Sequence, residues 1–295
     1  MLLTQDAPLR LPPGFRKGIG HTANKSQVFK LLRRSRLNTV CEEARCPNIT
    51  ECFSNQTATF MILGDRCTRR CLFCSVKTAK PALPDPHEPE NLKNAVLELG
   101  LEHVVITSVD RDDLKDLGAG HFAACIQALK TIPHVTVELL TPDFKNRPDA
   151  IQIVLDAKPD IWGHNTESVP RLYKQIRPQS NFTTTTSLLS YLGRQPNLAL
   201  KSGLMVGLGE TDDEVSQTLS LIRDLGVQIV TIGQYLRPSL KHWPVDRYVG
   251  AESYARWQHE AQQLGFEACY AGPFVRSSYH AKETYFSSTL KRPAC

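Results

Sequence analysis

Thr57-Ala-Thr-Phe-Met-Ile-Leu-Gly-Asp-Arg-Cys67-Thr-Arg-Arg-Cys71-Leu-Phe-Cys74 is a short apolar run that stops at a glycine and opens onto three closely spaced cysteines. Thr59 to Leu63 is a short, largely apolar run, which predicts a buried strand ending at Gly64. Cys67, Cys71 and Cys74 then supply three thiolates from one loop. A four-iron cluster has four corners, so three thiolates hold it and leave one iron open to bind and break a small molecule. Upstream, Cys41, Cys46 and Cys52 form a second triplet with the same question of a fourth ligand. Six of the nine cysteines fall in these triplets, and two incomplete cluster sites in one chain point to redox chemistry.

Outward from this stretch the chain alternates strand and helix. Asn91–Leu99 predicts a helix, with Leu92, Ala95, Val96 and Leu99 on one face, and His103–Val109 a strand. A helix over His121–Lys130, a strand over Val135–Leu140, a helix over Asp149–Ala157 and a strand over Asp160–Asn165 follow. Helices at Val169–Ile176 and around Leu188 precede a strand at Leu204–Leu208. Thr211-Asp-Asp-Glu214 is a capping box, each end satisfying the other's free amide, and opens a helix with Val215, Leu219 and Ile222 inward. A strand at Ile229–Tyr235 and a helix at Ala251–Leu264 complete six units. Six strand–helix units predict an α/β fold, a partial (β/α)6 TIM-like barrel that is open compared with the eight-unit form. Such sheets place their chemistry at strand C-termini, where the Cys67 triplet sits. Residues 1–56 read as an N-terminal extension holding the first triplet and a helix at Lys25–Leu37; 57–275 as the barrel; 276–295 as a C-terminal tail.

At 295 residues the chain can bury a large core. Its net charge of +5 is mild, with small groups of arginines near each triplet, suited to a solvated surface or to an acidic partner. No recognised nucleic-acid module is present. No apolar run approaches the ~20 residues of a membrane span, and Met1–Phe15 lacks a secretion signal, so the expected location is the cytosol. Thiols stay reduced there, which favours metal ligation over disulfides. Zinc remains an alternative, although the spacing differs from paired C-x2-C knuckles. Cys125, Cys269 and Cys295 read as ordinary cysteines.

Cys67-x3-Cys71-x2-Cys74, with Phe73 before the last cysteine, resembles the signature of the radical S-adenosylmethionine (SAM) superfamily. The upstream Cys41-x4-Cys46-x5-Cys52 and Arg276-Ser-Ser-Tyr279 near the end resemble the lipoyl synthase family in particular. So do Thr107-Ser-Val-Asp-Arg-Asp-Asp-Leu114, His164-Asn165, Lys201–Glu210, Thr231–Leu236 and Gly272–Tyr279. The chain departs from the family pattern at Leu72, where proline is common, and at Leu117, usually a glycine.

The resemblance implies two 4Fe-4S clusters and SAM as cofactors, with one-electron cleavage of the sulfonium releasing a radical that abstracts hydrogen. It implies a sulfurtransferase that inserts two sulfur atoms at C6 and C8 of a protein-bound octanoyl-lysine, drawing sulfur from the auxiliary cluster of Cys41, Cys46 and Cys52. Ser277, or alternatively Ser278, would complete that cluster, with Arg276 beside it in the catalytic motif. A serine oxygen is a hard ligand for iron–sulfur and would leave more readily than a thiolate. For SAM, the resemblance implies Phe73 near the adenine, Thr107 and Ser108 at the methionyl group, and Asn165 and Glu167 as polar partners. It further implies Arg177 at the carboxylate and Leu236 by backbone contact. Gly207 and Gly209 read as allowing close backbone approach. Implied partners are octanoylated lipoyl domains of 2-oxoacid dehydrogenases or the glycine-cleavage H protein, and a ferredoxin or flavodoxin electron donor, with a monomeric enzyme. The competing readings are another radical SAM sulfur-insertion enzyme and a non-catalytic iron–sulfur electron carrier; the carrier leaves the barrel and Arg276-Ser-Ser-Tyr279 unexplained.

Overall fold

Residue 12 and residues 23–54, 58–278 and 281–282 are described by the structure, a computed structural model of the chain. Most of the expected amino-terminal arm, Tyr279 and most of the tail beyond it, including Cys295, lie outside these residues. Two compact units emerge: one from residues within 17–70 and 75–161, the other from Cys71–Cys74 and residues from Trp162 onward.

The first unit begins with α1 (Ala23–Arg34), β1 (Asn38–Thr39), α2 (Val40–Glu43) and α3 (Ile49–Ser54). α1 buries Val28, Leu31 and Leu32, the stripe that the 3.6-residue period predicts. β2 (Thr59–Ile62) is buried throughout. β3 (Arg66–Cys67) and β4 (Lys77–Thr78) form a short parallel ribbon, pairing Arg66 with Lys77 and Cys67 with Thr78. α4 (Glu88–Leu99), β5 (His103–Ser108), α5 (Ala119–Lys130), β6 (Thr136–Leu140) and α6 (Pro148–Asp156) follow. The sheet order is β1-β2-β5-β6. β2, β5 and β6 run parallel, while β1 is antiparallel and pairs Asn38 with Met61, so the segment before the first triplet is annealed to β2. Val104, Val105 and Ile106 are all buried, as expected of a parallel strand covered on both faces.

The second unit takes up at β7 (Ile161–Gly163) and continues through α7 (Pro170–Ile176), α8 (Phe182–Leu192), β8 (Ala199–Val206) and α9 (Asp212–Asp224). β9 (Ile229–Gln234), α10 (Ala251–Gln263) and β10 (Ala268–Gly272) complete it. Its strand order is β7-β8-β9-β10, and β10 and β8 flank β9 in parallel. α9 starts at the predicted capping box, with Thr211 accepting from the Glu214 amide and Glu214 from that of Thr211.

The short β1, α2, α3, β3 and β4 were not expected, and two elements of the strand–helix series differ from expectation. β8 spans Ala199–Val206 instead of Leu204–Leu208, because Lys201 and Ser202 are buried at 3% and 0% exposure despite their polarity. β10 adds a parallel strand beyond the six expected; its Ala-Cys-Tyr-Ala-Gly composition carries little strand signal, and pairing with β9 creates it.

Candidate active site

Successive tight turns carry the first triplet. Thr39 caps α2 by accepting the Glu42 amide at 3.3 Å. The Cys46 amide then donates to the Cys41 carbonyl, Ile49 to Cys46 and Cys52 to Asn48. Arg45 takes the left-handed conformation, φ 50°, that turns the chain into Cys46. Cys41 is buried, and burial pushes its thiol up to about 11 against the opposing hydrogen bonds from Thr59. Cys46 and Cys52 are half-buried. A ligating cysteine must lose its proton, so a metal held by Cys41 would release one.

Backbone hydrogen bonds anchor the residues of the second triplet. In the first unit, Cys67 Sγ accepts backbone N–H groups from Arg69 at 3.4 Å and Asp110 at 3.3 Å. The Thr68 amide and hydroxyl both donate to the Asp110 carbonyl, at 3.1 and 2.9 Å. In the second unit, the Leu72 amide donates to the Ile176 carbonyl and the Leu72 carbonyl accepts from Trp243, both at 2.8 Å. Leu72 thus uses an amide that proline would lack. The His242 ring bonds the Cys74 carbonyl at 3.1 Å.

Thr107 and Ser108 close β5 in the first unit. The Thr107 hydroxyl is committed to the Leu140 carbonyl at 2.8 Å. Ser108 Oγ is buried with no hydrogen-bond partner among the described residues, an orphaned polar atom that a polar ligand would satisfy.

Asn165, Glu167, Arg177, Leu236 and Ser277 belong to the second unit, as does Phe73, which is half-buried. Glu167 stands at φ 66°, a conformation rare outside glycine, locked by its amide on the Gly203 carbonyl and its carbonyl on the Met205 amide, both 2.9 Å. Burial raises the Glu167 carboxyl, with Arg177 and Asn165 opposing. Arg177 lies 5.2 Å over the Tyr173 ring. Leu236 lies two residues beyond the end of β9 and is half-buried.

Ser277 and Asn165 face each other, with Nδ2 donating to Oγ at 2.8 Å and Oγ to Oδ1 at 3.0 Å. Two strand glycines make room for this pair. A Cβ on Gly203 would lie 2.8 Å from Asn165 Oδ1, and one on Gly233 only 2.1 Å from the Val275 carbonyl. Close approach is also the role of Gly207, where a Cβ would meet Gln234 Nε2 at 2.1 Å; Gly209 instead serves its φ of 112°.

All eight described cysteines are free, Cys125 in α5 and Cys269 in β10 among them. Burial raises both of those thiols, Cys269 to about 12. Among the described residues no group of three His, Cys, Asp or Glu is close enough for a single metal ion; a four-iron cluster spreads its ligands over separate corners. Soft thiolates with N–H donors at sulfur, and an unsatisfied Ser108, fit iron–sulfur clusters and a polar cosubstrate. Sequence reading missed Arg69 and its carboxylates Asp112 and Asp143, since an arginine among cysteines looks like surface charge.

A family profile described as the Radical SAM superfamily matches residues 61–222. The chain is 50% identical over 276 residues to a lipoyl synthase of Methylobacillus flagellatus, covering 92% of this chain and 85% of that protein. It is 50% identical over 280 residues to a lipoyl synthase of Methylococcus capsulatus, covering 94% and 87%. The fold is similar to that of methylornithine synthase, with a TM-score of 0.56 at 13% identity over 84% of this chain and 76% of that one. The α/β class expected from the sequence, a partial TIM-like barrel, agrees with this likeness. The two cysteine triplets, the orphaned serine at the end of β5 and this extent of identity converge on one assignment: the chain belongs to the lipoyl synthase family of the radical SAM superfamily.

Proposed function

We propose that this chain inserts sulfur at C6 and C8 of an octanoyl group amide-linked to a lysine of a carrier protein, as a radical SAM sulfurtransferase. One observation carries the reading: two separate cysteine triplets, each set in its own framework of backbone hydrogen bonds, within a chain about half identical to lipoyl synthases. When bound, the clusters and SAM supply one-electron cleavage of a sulfonium and a store of sulfide.

The chain's own residues divide the remaining work. Cys67, Cys71 and Cys74 hold the radical-site cluster; Cys41, Cys46 and Cys52 hold the auxiliary one, with Ser277 as its fourth ligand and Arg276 beside it. Ser108 Oγ offers its free valences to the methionyl group. Thr107, its hydroxyl proton committed to Leu140, acts as an acceptor there. Asn165 and Glu167 bind polar groups of SAM, Arg177 its carboxylate, and Phe73 and Leu236 its base. Residues 1–56, 57–275 and 276–295 serve as auxiliary-cluster extension, barrel and motif-bearing tail. The carrier is an octanoylated lipoyl domain of a 2-oxoacid dehydrogenase or the glycine-cleavage H protein. A ferredoxin or flavodoxin supplies electrons to a monomeric enzyme in the cytosol; no described helix is long and apolar enough to cross a membrane.

Mass spectrometry of an octanoyl-lysyl peptide tests this, after anaerobic incubation with reconstituted protein, SAM and a strong reductant. A dithiolane product with 5′-deoxyadenosine is expected. 5′-Deoxyadenosine without sulfur in the peptide would overturn the substrate, and neither product from a verified two-cluster sample would favour an electron carrier.

A further inference from the structure

Arg69 lies between two cluster cysteines, yet its side chain is only 3% exposed. Nε and Nη2 donate to Asp112 at 2.8 and 2.9 Å, and Nη1 and Nη2 to Asp143 at 2.7 and 2.8 Å. Asp110 Oδ1 stands 3.4 Å from Nε. Three carboxylates, Asp112, Asp143 and Asp110, thus surround the buried guanidinium. Asp110 and Asp112 follow β5, and Asp143, itself 3% exposed, follows β6. One side chain therefore ties the cysteine loop to the C-terminal ends of two strands. The tie is completed by the Asp112 amide, which donates to Thr68 Oγ1 at 3.1 Å.

The consequence falls on Cys67. Its sulfur accepts the backbone N–H groups of Arg69 and Asp110, the residues that this network fixes. Hydrogen bonds to a ligand sulfur favour the more negative, reduced cluster and so raise its potential. A lysine cannot reproduce the two-sided fork, since its ammonium is a point charge.

We propose that Arg69 is a positioning residue for the radical-site cluster: its fork on Asp112 and Asp143 aims the Arg69 and Asp110 amides at Cys67 Sγ and raises the cluster's reduction potential. This rests on the proposed role of Cys67 as a cluster ligand.

The test is a potentiometric titration of the reconstituted full-length protein followed by electron paramagnetic resonance. The radical-site signal is the one that changes when SAM is added. Arg69→Lys keeps the local charge, and Asp143→Asn removes a negative charge, which by charge alone would raise the potential. Positioning predicts a fall in both, with ~10-fold less reduced cluster at a fixed poise, equivalent to about 59 mV for a one-electron couple. In the iron-free protein, the Asp110 amide of both variants should exchange with deuterium faster than in wild type. An unchanged or raised potential in either variant overturns the proposal. Should a variant assemble no cluster, the exchange decides, and unchanged protection of Asp110 overturns it. The underlying reading fails separately, if Cys67→Ala retains the SAM-responsive signal.

Discussion

Ser277 is held through its only side-chain oxygen, which both donates to and accepts from the Asn165 carboxamide. To act as the proposed iron ligand it would have to give up at least one of these bonds, so that ligation would be set against a competing neutral arrangement. A hard oxygen ligand on iron–sulfur is weak by nature, and a thiolate is not. Ser277→Cys should therefore retain iron while lowering sulfur insertion at least ~10-fold, the scale of disturbances around metal ligands. Iron analysis and the dithiolane assay check this together, and unchanged double insertion would sink it. The cysteine spacings were legible because each triplet is local in sequence. Arg69 was not, because its meaning comes from Asp143, 74 positions away. The Ser277–Asn165 pair spans 112 positions.

Strands and helices carry their own consequences. Gly233 sits in mid-β9, where pairing alone would favour a β-branched residue, and its missing side chain is occupied by the Val275 backbone. Gly233→Ala should displace residues 275–277 and cost about 1–3 kcal/mol, the usual scale of overpacking. A lower urea midpoint together with reduced iron content is the expected result. At the start of α9, Glu214 joins the capping box and takes both sides of the Arg171 guanidinium, at 2.7 and 2.8 Å. These bonds from Arg171, with the Thr211 amide, hold its carboxyl down to about 2, from an ordinary 4.5. A depressed carboxyl stabilises the fold above its unfolded value and loses that contribution as pH falls through its folded value. Glu214→Gln should thus cost about 0.5 kcal/mol at neutral pH, the scale of a partly exposed pair. Urea unfolding across pH should show the difference shrinking between about 4.5 and 2. α9 was legible from its cap and stripe. The first half of β8 was not, since the polar Lys201 and Ser202 carry no apolar strand signal until the fold buries them.

For the molecule as a whole, the two triplets predict separable losses. Alanine at Cys41, Cys46 and Cys52 should remove about half the iron, leaving SAM cleavage but no sulfur in the peptide. Alanine at Cys67, Cys71 and Cys74 should also remove about half the iron and abolish cleavage. Iron analysis with paired product assays checks both; equal losses of cleavage in the two variants would contradict the division of labour. The cysteine triplets, the strand–helix alternation and the α9 cap were all readable in one dimension, because each depends on residues within a few positions of one another. The amides aimed at Cys67, the burial of Arg69, the bent Glu167 backbone and the glycine saddle beneath Ser277 were not. Each needs groups from different strand ends to meet away from water, where a buried charge or strained φ persists only if distant partners satisfy it. No local periodicity encodes such a meeting; the packing of the strands creates it.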